Sequence, residues 1–385
     1  MRVPRRRSRV LLLAIALAFG GLYYRSVPAP SPGGFAVPET PAPAMGAEPS
    51  YRSQLLPNSS ARSVHAAAAA ELSGGQLRAF WYGGSREGAP DVAIYTSVYS
   101  PSAGTWSPER AALTRPSAQR DLQRYLRKLG NPVVGRDRGG RLWLFFVSVS
   151  VGGWGGSAIN GAYSEDEGET WSPARRLVSS PFFNVSTLVK GAPFLYADGS
   201  IALPAYHEFV GKFGELLRLD AAGRPIGKTR LSRGRSSLQP VIVPKSKSEA
   251  VAFMRYSGDP PNRILRVRTE DGGANWDPPV KTVLPNPNAA VASVLLGDDL
   301  LLLAFNDSPD NRESLSLAVS RDFGNTWRVV HRFEGDREAS KALVAEYSYP
   351  WIMRDRAGEV HVLYTWGRTR IKHVQFNRAW LERLL

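Results

Sequence analysis

The octapeptide SEDEGETW at residues 164–171 has the composition of a tight turn between two β-strands. The Asp166 side chain can cap backbone amides of the turn, Gly168 accepts a positive φ, and the serine and threonine hydroxyls add local hydrogen bonds. The ring of Trp171 packs the turn onto the sheet beneath it. Turn chemistry explains every residue, so we interpret this segment as structural rather than catalytic.

The same turn recurs along the chain. A second full copy is SRDFGNTW at 320–327, a third with conservative substitutions is TEDGGANW at 269–276, and degenerate copies lie at 104–106 and 219–223. The copies are about 50 to 65 residues apart, and a period near 50 is typical of a four-stranded propeller blade. Residues 51–385 then hold about six blades. The sequence therefore predicts an all-β fold, a six-bladed β-propeller.

The composition excludes several classes of protein. The 385 residues contain no cysteine, which excludes a disulfide scaffold, an iron–sulfur cluster and a thiol nucleophile. Lys and Arg number 49 against 34 Asp and Glu, a net charge of +15, and five of the arginines lie in the first nine residues, which leaves 15 − 5 = +10 for the rest. These charges are scattered and match no DNA- or RNA-binding motif, so we expect no nucleic acid as a partner. A basic surface also suits an anionic glycan or acidic lipids.

Residues 1–26 combine a basic stretch with the apolar run Val10–Tyr24, a pattern typical of a signal peptide or signal anchor. The run is short for a spanning helix, which needs about 20 residues. We expect the protein to be exported. It would be anchored in the inner membrane facing the periplasm, or secreted if the signal is cleaved. Residues 27–50, rich in Pro and Ala, are predicted to be a spacer that buries no core, and 51–385 the globular domain.

The repeated turn is the Asp-box, and with its flanking sequences the domain resembles the sialidase superfamily. The segments that are similar to a sialidase-like subgroup are SVHAAAAAELSGGQLRAFWYGGSREGAPDVAIYTS from residue 63, NPVV from 131, KGAPF from 190, LQPVIV from 238, LPNPNAAV from 284 and EYSYPWIMRDRAGEVHVLYTWGRTRIKHV from 346. Asp-boxes also occur in non-catalytic propellers, so the final segment is the more specific evidence. The resemblance implies a sialidase-like propeller that cleaves glycosidic bonds.

The resemblance also implies roles for individual residues. In sialidases, three arginines bind the sugar carboxylate, an aspartate is the acid/base, and a tyrosine activated by a glutamate attacks the anomeric carbon. Arg255 matches the second arginine and Arg312 the third. Asp91 matches the acid/base, and Tyr347 the nucleophile, with Tyr349 as a near alternative.

Two positions depart from the sialidase pattern. His65 lies where the first arginine is expected, and Gln239 lies where the activating glutamate is expected. A tyrosine with a pKa near 10 is a poor nucleophile unless a base takes its proton, which glutamine cannot do. Glu346 could substitute, but adjacent strand residues face opposite sides, so we expect it to point away from Tyr347.

Several polar residues could surround the central funnel and hold an anionic sugar through bidentate arginine contacts. The catalytic candidates are Asp91, Tyr347, His65 and Glu87. The carboxylate-binding candidates are Arg255, Arg312, Arg86 and Arg368. Further pocket candidates are Gln239, Tyr349 and His207. No cluster has metal-ligand spacing, and we expect no cofactor. His361 alternates with valines and is predicted to lie on the surface.

Two chemistries and one non-catalytic role remain open. Hydrolysis of a sialic, nonulosonic or uronic acid linkage could use Asp91, Tyr347 and Glu87. Elimination from a uronate could use His65 and Tyr347 as a base and an acid. The longer resemblance favours hydrolysis, whereas the two departures favour elimination. A propeller that only binds a glycan or exopolysaccharide during its assembly would also fit the loss of two sialidase positions.

Overall fold

The computed structural model describes residues 5–26, 33–37, 47–58, 60–180, 184–209, 211–297, 299–335 and 346–385. Helix α1 (Arg5–Ser26) covers the apolar run near the N-terminus. None of the helices within these ranges combines the length and the hydropathy that a membrane span requires. Two parts of the predicted spacer, 27–32 and 38–46, lie outside the described residues.

Six antiparallel sheets surround a common axis, which confirms the predicted six-bladed β-propeller. Strand β1 (Tyr51–Leu55) belongs to the last blade. The first blade is built from β2 (Ser63–Glu71), β3 (Leu77–Gly84), β4 (Ala93–Ser100), β5 (Thr105–Trp106) and β6 (Arg110–Thr114), and helix α2 (Arg115–Leu122) follows it. The second blade is built from β7 (Lys128–Arg136), β8 (Leu142–Val149), β9 (Ser157–Ser164) and β10 (Arg175–Arg176).

The next two blades continue the pattern. The third is built from β11 (Leu188–Val189), β12 (Phe194–Leu195), β13 (Ile201–His207), β14 (Phe213–Leu219) and β15 (Pro225–Arg230). The fourth is built from β16 (Ser237–Pro244), β17 (Ala250–Tyr256), β18 (Arg263–Thr269) and β19 (Val280–Pro285).

The last two blades complete the ring. The fifth is built from β20 (Ala292–Leu295), β21 (Leu301–Phe305), β22 (Leu315–Ser320) and β23 (Arg328–Glu334). The sixth is built from β24 (Tyr347–Arg354), β25 (Val360–Trp366) and β26 (Arg370–Phe376), and helix α3 (Arg378–Glu382) follows. Strand β1 completes the sixth sheet by pairing with β26, with Gln54 opposite His373. The N-terminal end of the domain therefore closes the ring on its C-terminal blade.

The Asp-box turns have the predicted hydrogen bonds. In the first full copy the Ser164 hydroxyl accepts from the amide of Gly168 at 2.7 Å, and Asp166 accepts from the amide of Thr170 at 2.8 Å. The copy at 320–327 repeats both contacts, with Ser320 and Asp322 as acceptors. These contacts consume the polar groups of the turn, which fits a structural role.

One residue of the predicted spacer is part of the core, contrary to expectation. Phe35 is fully buried and stacks on Tyr196 of the third blade with ring centroids 5.4 Å apart. Its amide donates to the carbonyl of Lys247 in the fourth blade at 2.7 Å. A Pro- and Ala-rich composition does not exclude a single aromatic anchor, so segment 33–37 docks onto two blades.

The prediction that His361 lies on the surface is wrong. His361 is fully buried and contacts Asp355 through Nε2 at 3.1 Å and His373 through Nδ1 at 2.9 Å. The indole of Trp106 donates to Nδ1 of His373 at 3.3 Å, so a buried chain of hydrogen-bonded groups runs from Trp106 through the two imidazoles to Asp355. Strand alternation could not reveal this, because blades of a propeller bury both faces.

Candidate active site

The innermost strands of the six blades share a backbone irregularity at their N-terminal ends. Each blade has one non-glycine residue with a φ of 45° to 58° within its innermost strand or up to four residues before it: Ala66, Asn131, Ser186, Gln239, Asn288 and Tyr349. In four blades this residue lies in a β-bulge. A bulge redirects side chains, and such positive φ values are strained for residues other than glycine. The repeated bulge therefore aims polar side chains at one end of the axis.

Three of these residues, Asn131, Gln239 and Tyr349, line a cleft of about 220 Å³ at that end of the axis. Its walls come from all six blades and are mostly polar. The lining residues are His65, Glu87, Asn131, Trp154, Leu188, Tyr206, Glu208, Gln239, Arg255, Arg312, Tyr349 and Arg368. Seven of the predicted site residues are therefore brought together.

Three arginines from different blades converge in the cleft. Asn288 links two of them, since its side-chain oxygen accepts from Nε of Arg255 at 2.5 Å and its carbonyl accepts from Arg312 at 2.7 Å. Arg368 reaches the cleft from the turn between β25 and β26. Guanidinium groups from three blades can thus bind one planar anion together.

Glu346 anchors two of these arginines. Its carboxylate accepts hydrogen bonds from Arg312 at 3.1 Å, from Arg368, and from the hydroxyl of Ser348 at 2.9 Å. Partial burial opposes ionisation, but these hydrogen bonds and the charge of Arg368 lower the pKa of Glu346 to about 2. Glu346 is therefore a fixed anion that orients the arginines rather than a proton donor.

Arg255 differs from the other two arginines. Arg312 and Arg368 pair with carboxylates, and Arg368 also contacts Glu87 at 2.9 Å. Within the described ranges, the hydrogen-bond partners of Arg255 are amide oxygens, those of Asn288 and of Gln239 at 3.2 Å. Arg255 thus forms no ion pair among the described residues, and its guanidinium group can pair with an anionic ligand.

Gln239 sets the hydrogen-bond direction at Tyr349. Because the Gln239 carbonyl accepts from Arg255, its amide group faces the tyrosines and donates to the phenol oxygens of Tyr349 at 3.1 Å and Tyr206 at 3.3 Å. The oxygen of Tyr349 is therefore an acceptor toward Gln239, and its proton is left to point into the cleft. Asn131 donates to Tyr206 in the same way at 3.3 Å.

His65 packs directly against Tyr349, with ring centroids 4.3 Å apart. It is 3% exposed, and burial together with the charge of Arg368 lowers the pKa of His65 to about 3, so the ring is neutral at ordinary pH. Its Nδ1 atom is buried and has no hydrogen-bond partner among the described residues. This nitrogen can accept a proton or a hydrogen bond from a ligand.

Glu208 is a site residue that sequence reasoning missed. Burial raises the pKa of its carboxyl group, with the charges of Arg255 and Lys212 opposing the shift. A glutamic acid with a raised pKa is a suitable proton donor. Its neighbour His207 was the predicted residue, and no sequence signal distinguished the two adjacent positions.

Lys190, the first residue of the segment KGAPF, is a second residue whose role near the cleft the sequence did not reveal. It is 4% exposed, and its ammonium group donates to the carbonyl of Pro350 at 2.8 Å and lies 5.8 Å from the Trp351 ring centroid. Burial lowers the pKa of Lys190 to about 7. The contact with Pro350 holds the bulge that presents Tyr349 to the cleft.

Four predicted site residues lie elsewhere. The exposed Asp91 accepts from the amide and hydroxyl of Ser85 at 2.8 and 2.9 Å, so it caps a turn. Arg86 is exposed on the same turn, outside the cleft lining. His207 pairs with Glu215 at 2.8 Å, away from the lining.

Tyr347 is the fourth predicted site residue that lies outside the cleft. It is packed in the core of the fifth and sixth blades, where burial and then Glu334 raise the pKa of its phenol. The bulge after Ser348 reverses the strand alternation, so Tyr349 faces the cleft and Tyr347 does not. Glu346 and Tyr347 face opposite ways, as predicted, and Glu346 is the one that contacts the arginines of the cleft.

Comparisons with known proteins agree with this architecture. A family model described as a BNR repeat-like domain matches residues 75–362. No curated protein matches the sequence. Among solved structures, the chain is similar to a Hadza microbial sialidase at 19% identity and a TM-score of 0.67, with 84% of this chain and 66% of that chain covered. The chain thus spans just under two thirds of that protein.

Two further solved structures have the same fold. One is the intramolecular trans-sialidase from Ruminococcus gnavus, at 13% identity and a TM-score of 0.66, with 86% of this chain and 98% of that chain covered. The other is an alpha-L-arabinofuranosidase from Fusarium graminearum, at 13% identity and a TM-score of 0.61, with coverages of 86% and 97%. These similarities confirm the sialidase-like fold, and at such identities they show the fold alone.

Proposed function

Because the chain belongs to the BNR repeat-like domain family and its cleft joins three arginines to a readily protonated carboxyl group, we propose that it hydrolyses glycosidic bonds of an acidic sugar. The observation that carries the proposal is the convergence of Arg255 and Arg312 on Asn288 in the cleft that Glu208 also lines. The substrate class is a glycan containing a sialic, nonulosonic or uronic acid.

The arginines would bind the sugar carboxylate. Arg255 contributes a guanidinium group that forms no ion pair among the described residues, while Arg312 and Arg368 are held in place by Glu346. Bidentate guanidinium contacts fix the plane of a carboxylate, so the sugar ring is oriented before the reaction begins.

Proton transfer would be divided between two carboxyl groups. Glu208 donates its proton to the leaving glycosidic oxygen as the bond to the anomeric carbon breaks. A water molecule attacks that carbon and gives its proton to Glu87, the carboxylate that Arg368 holds at 2.9 Å. Tyr349 stabilises the reacting sugar as a hydrogen-bond donor. It is a poor covalent nucleophile here because its partner Gln239 cannot take its proton.

The stereochemistry of the product tests this division of roles. Direct attack by water inverts the anomeric configuration, whereas a covalent intermediate on Tyr349 would retain it. Proton NMR of the first product formed would show inversion. Retention would transfer the nucleophile role to Tyr349.

Elimination from a uronate is the second candidate. It is favoured by the unpartnered Nδ1 of His65 and by the free proton of Tyr349. For His65 to take the C5 proton, the bound carboxylate must first raise its pKa by offsetting the charges of Arg368 and Arg312. A C4–C5 double bond would then form, and the O4 leaving group would receive the proton of Tyr349. Arg255 would neutralise the carboxylate meanwhile.

One assay separates these candidates. The full-length protein would be incubated with acidic glycans while new reducing ends and the ultraviolet absorbance of an unsaturated uronate are followed. Hydrolysis predicts reducing ends without absorbance, and elimination predicts both together. A protein that binds the glycans but releases no product would support the binding role instead.

The location of this activity is a separate proposal. The basic and apolar composition of residues 1–26 supports export, with the segment acting as a membrane anchor or a cleaved signal. Separating membrane and soluble fractions of cells that express the protein, followed by N-terminal sequencing, tests both possibilities.

A further inference from the structure

A glycine-rich loop presents a tryptophan at the edge of the cleft. The loop VGGWGG at 151–156 connects β8 to β9, and Trp154 begins its short 3₁₀ helix. Trp154 lines the cleft. A Cβ atom added to Gly130 would lie 2.7 Å from the Trp154 ring, so the indole rests directly on the backbone of the second blade. The ammonium group of Lys128 lies 5.5 Å from the ring centroid and helps to fix it.

A second aromatic ring continues this surface. Phe209 is 69% exposed, and a Cβ atom added to Gly155 would lie 3.0 Å from its ring. Phe209 therefore abuts the Trp154 loop although it belongs to the third blade. Val151, in the same loop, is 80% exposed. Exposed apolar side chains that adjoin a polar cleft are typical of a ligand contact.

The position of Glu208 indicates what the aromatic surface contacts. Glu208 immediately precedes Phe209 and lines the cleft together with Trp154. A general acid must reach the oxygen of the leaving group, so the leaving group lies on the side of Glu208. That side carries Trp154 and Phe209 of the second and third blades, whereas the carboxylate-binding Arg255, Arg312 and Arg368 come from the fourth, fifth and sixth blades. A sugar ring has faces of C–H groups that pack well on aromatic rings.

We propose that Trp154 and Phe209 form a subsite for the leaving-group sugar, and that the substrate is therefore an acidic oligosaccharide or polysaccharide. The proposal rests on the proposed function, because the side of the leaving group is taken from the role of Glu208. It adds a specificity: the sugar beyond the cleaved bond contributes to binding.

The test measures binding of matched short and long probes to the full-length protein by isothermal titration calorimetry. One pair is N-acetylneuraminic acid and 3′-sialyllactose, and the other is glucuronic acid and the disaccharide glucuronosyl-β-1,4-glucose. The Glu208→Gln variant is the background, so that the long probes are not consumed. Trp154→Ala and Phe209→Ala are made in this background. Val283→Ala, which removes an exposed apolar side chain from the outermost strand of the fourth blade, is the matched control.

We expect the long probe of one pair to bind about tenfold more tightly than its short partner, and the aromatic variants to abolish that ratio. In these variants the short probe should lose much less affinity than the long probe, and Val283→Ala changes the affinity of neither probe. Equal affinities within both pairs, a ratio that survives in Trp154→Ala combined with Phe209→Ala, or no binding of any probe would overturn the subsite.

A further variant separates this proposal from the proposed function. Arg255→Ala should weaken the short and the long probe equally, because both carry the carboxylate. If the aromatic variants abolish the ratio while Arg255→Ala has no effect, the aromatic subsite stands and the carboxylate site falls. If Arg255→Ala weakens both probes, but the long and the short probe bind equally well before either aromatic residue is replaced, the carboxylate site stands and the subsite falls.

Discussion

The innermost strands build two different openings at the two ends of the propeller axis. Their N-terminal ends line the polar cleft of about 220 Å³, and their C-terminal halves line a cavity of about 850 Å³ at the opposite end. The walls of the large cavity are mainly apolar and include Val134, Ile242 and Ile352. Both openings thus carry ionisable side chains, but those of the large cavity lie among mainly apolar walls, whereas the walls of the cleft are mostly polar.

The difference follows from the backbone and from charge pairing. The bulges occur at the cleft ends of the strands, where they turn Gln239 and Tyr349 toward the axis. At the other end, Arg356 pairs with Glu71 at 2.9 Å and Lys245 with Asp299 at 3.0 Å. In the cleft, Arg255 has no such partner among the described residues. Size alone would therefore select the opposite end of this molecule from the proposed site.

The largest expected effect comes from comparing a carboxyl group of the cleft with one of the large cavity. Glu208→Gln should lower kcat by about 10²- to 10⁴-fold, because it removes the proposed proton donor without changing the shape of the side chain. The matched control is Asp299→Asn at the rim of the large cavity, for which kcat should stay within about twofold. Initial rates on an acidic glycan that the wild-type protein cleaves measure both. An equal loss in the two variants would contradict the assignment of the cleft.

The next effect concerns the arginines of the two openings. Arg255→Lys should raise KM by about ten- to a hundredfold, because an ammonium group cannot make the bidentate contact with a carboxylate. Arg356→Lys, at the cavity end, is the control and should leave KM unchanged. Substrate saturation curves give both values. A wild-type KM in Arg255→Lys would show that this side chain does not bind the substrate.

A third effect is the loss of stability in acid. The pKa of His65 is lowered to about 3 in the folded protein and that of His373 is lowered well below its usual value, in both cases first by burial. Unfolded histidines bind protons near pH 6.5, so the unfolded state gains protons first. The free energy of unfolding should therefore fall as the pH drops below 6.5.

Two histidine variants show how much of this acid sensitivity comes from the cleft and how much from the last blade. From pH 6.5 to 4.5 His65 contributes about 2 kcal/mol to this loss, and His373 adds to it in the same direction. Below pH 4.5 Glu346, with its pKa of about 2, loses its own stabilising contacts as well. Urea unfolding of His65→Gln should show a smaller loss in this window than the wild type does. His373→Gln should also show a smaller loss, although His373 lies away from the cleft, where strand β1 closes the ring. A pH-independent wild-type stability there would refute both.

The sequence predicted the fold well because its evidence is local. The Asp-box turn requires only eight neighbouring residues, such as Ser164–Trp171, and its repetition sets the number of blades. The site was predicted in part: His65, Gln239, Arg255 and Arg312 come together, but Tyr349 replaces Tyr347. A bulge between Ser348 and Trp351 shifts the strand alternation by one residue, and the local strand propensity of the sequence does not predict this bulge.

The residues that were missed depend on long-range burial. Glu208 and Lys190 are unremarkable in the sequence, because their pKa values are shifted by desolvation that only the assembled blades produce. His361 was misplaced for a related reason, since both faces of its blade are covered. The recurrence of a proline after Asn131, Gln239 and Tyr349 is the one sequence signal that could have located the bulges.

The smallest expected effect tests the reassignment of Asp91, which the resemblance to sialidases implied to be the acid/base. Its carboxylate accepts two hydrogen bonds from Ser85, and these contacts lower its pKa although burial would raise it. Asp91→Ala should therefore cost about 1 kcal/mol of stability, as the loss of a cap does, and leave kcat within about twofold. Asp91→Asn, which can still accept from the Ser85 amide, should lose less stability than Asp91→Ala. Chemical denaturation and initial rates measure the two quantities. A thousandfold loss of kcat in both variants would return the acid/base role to Asp91, because a turn cap beside the cleft acts on stability and not on the proton transfer itself.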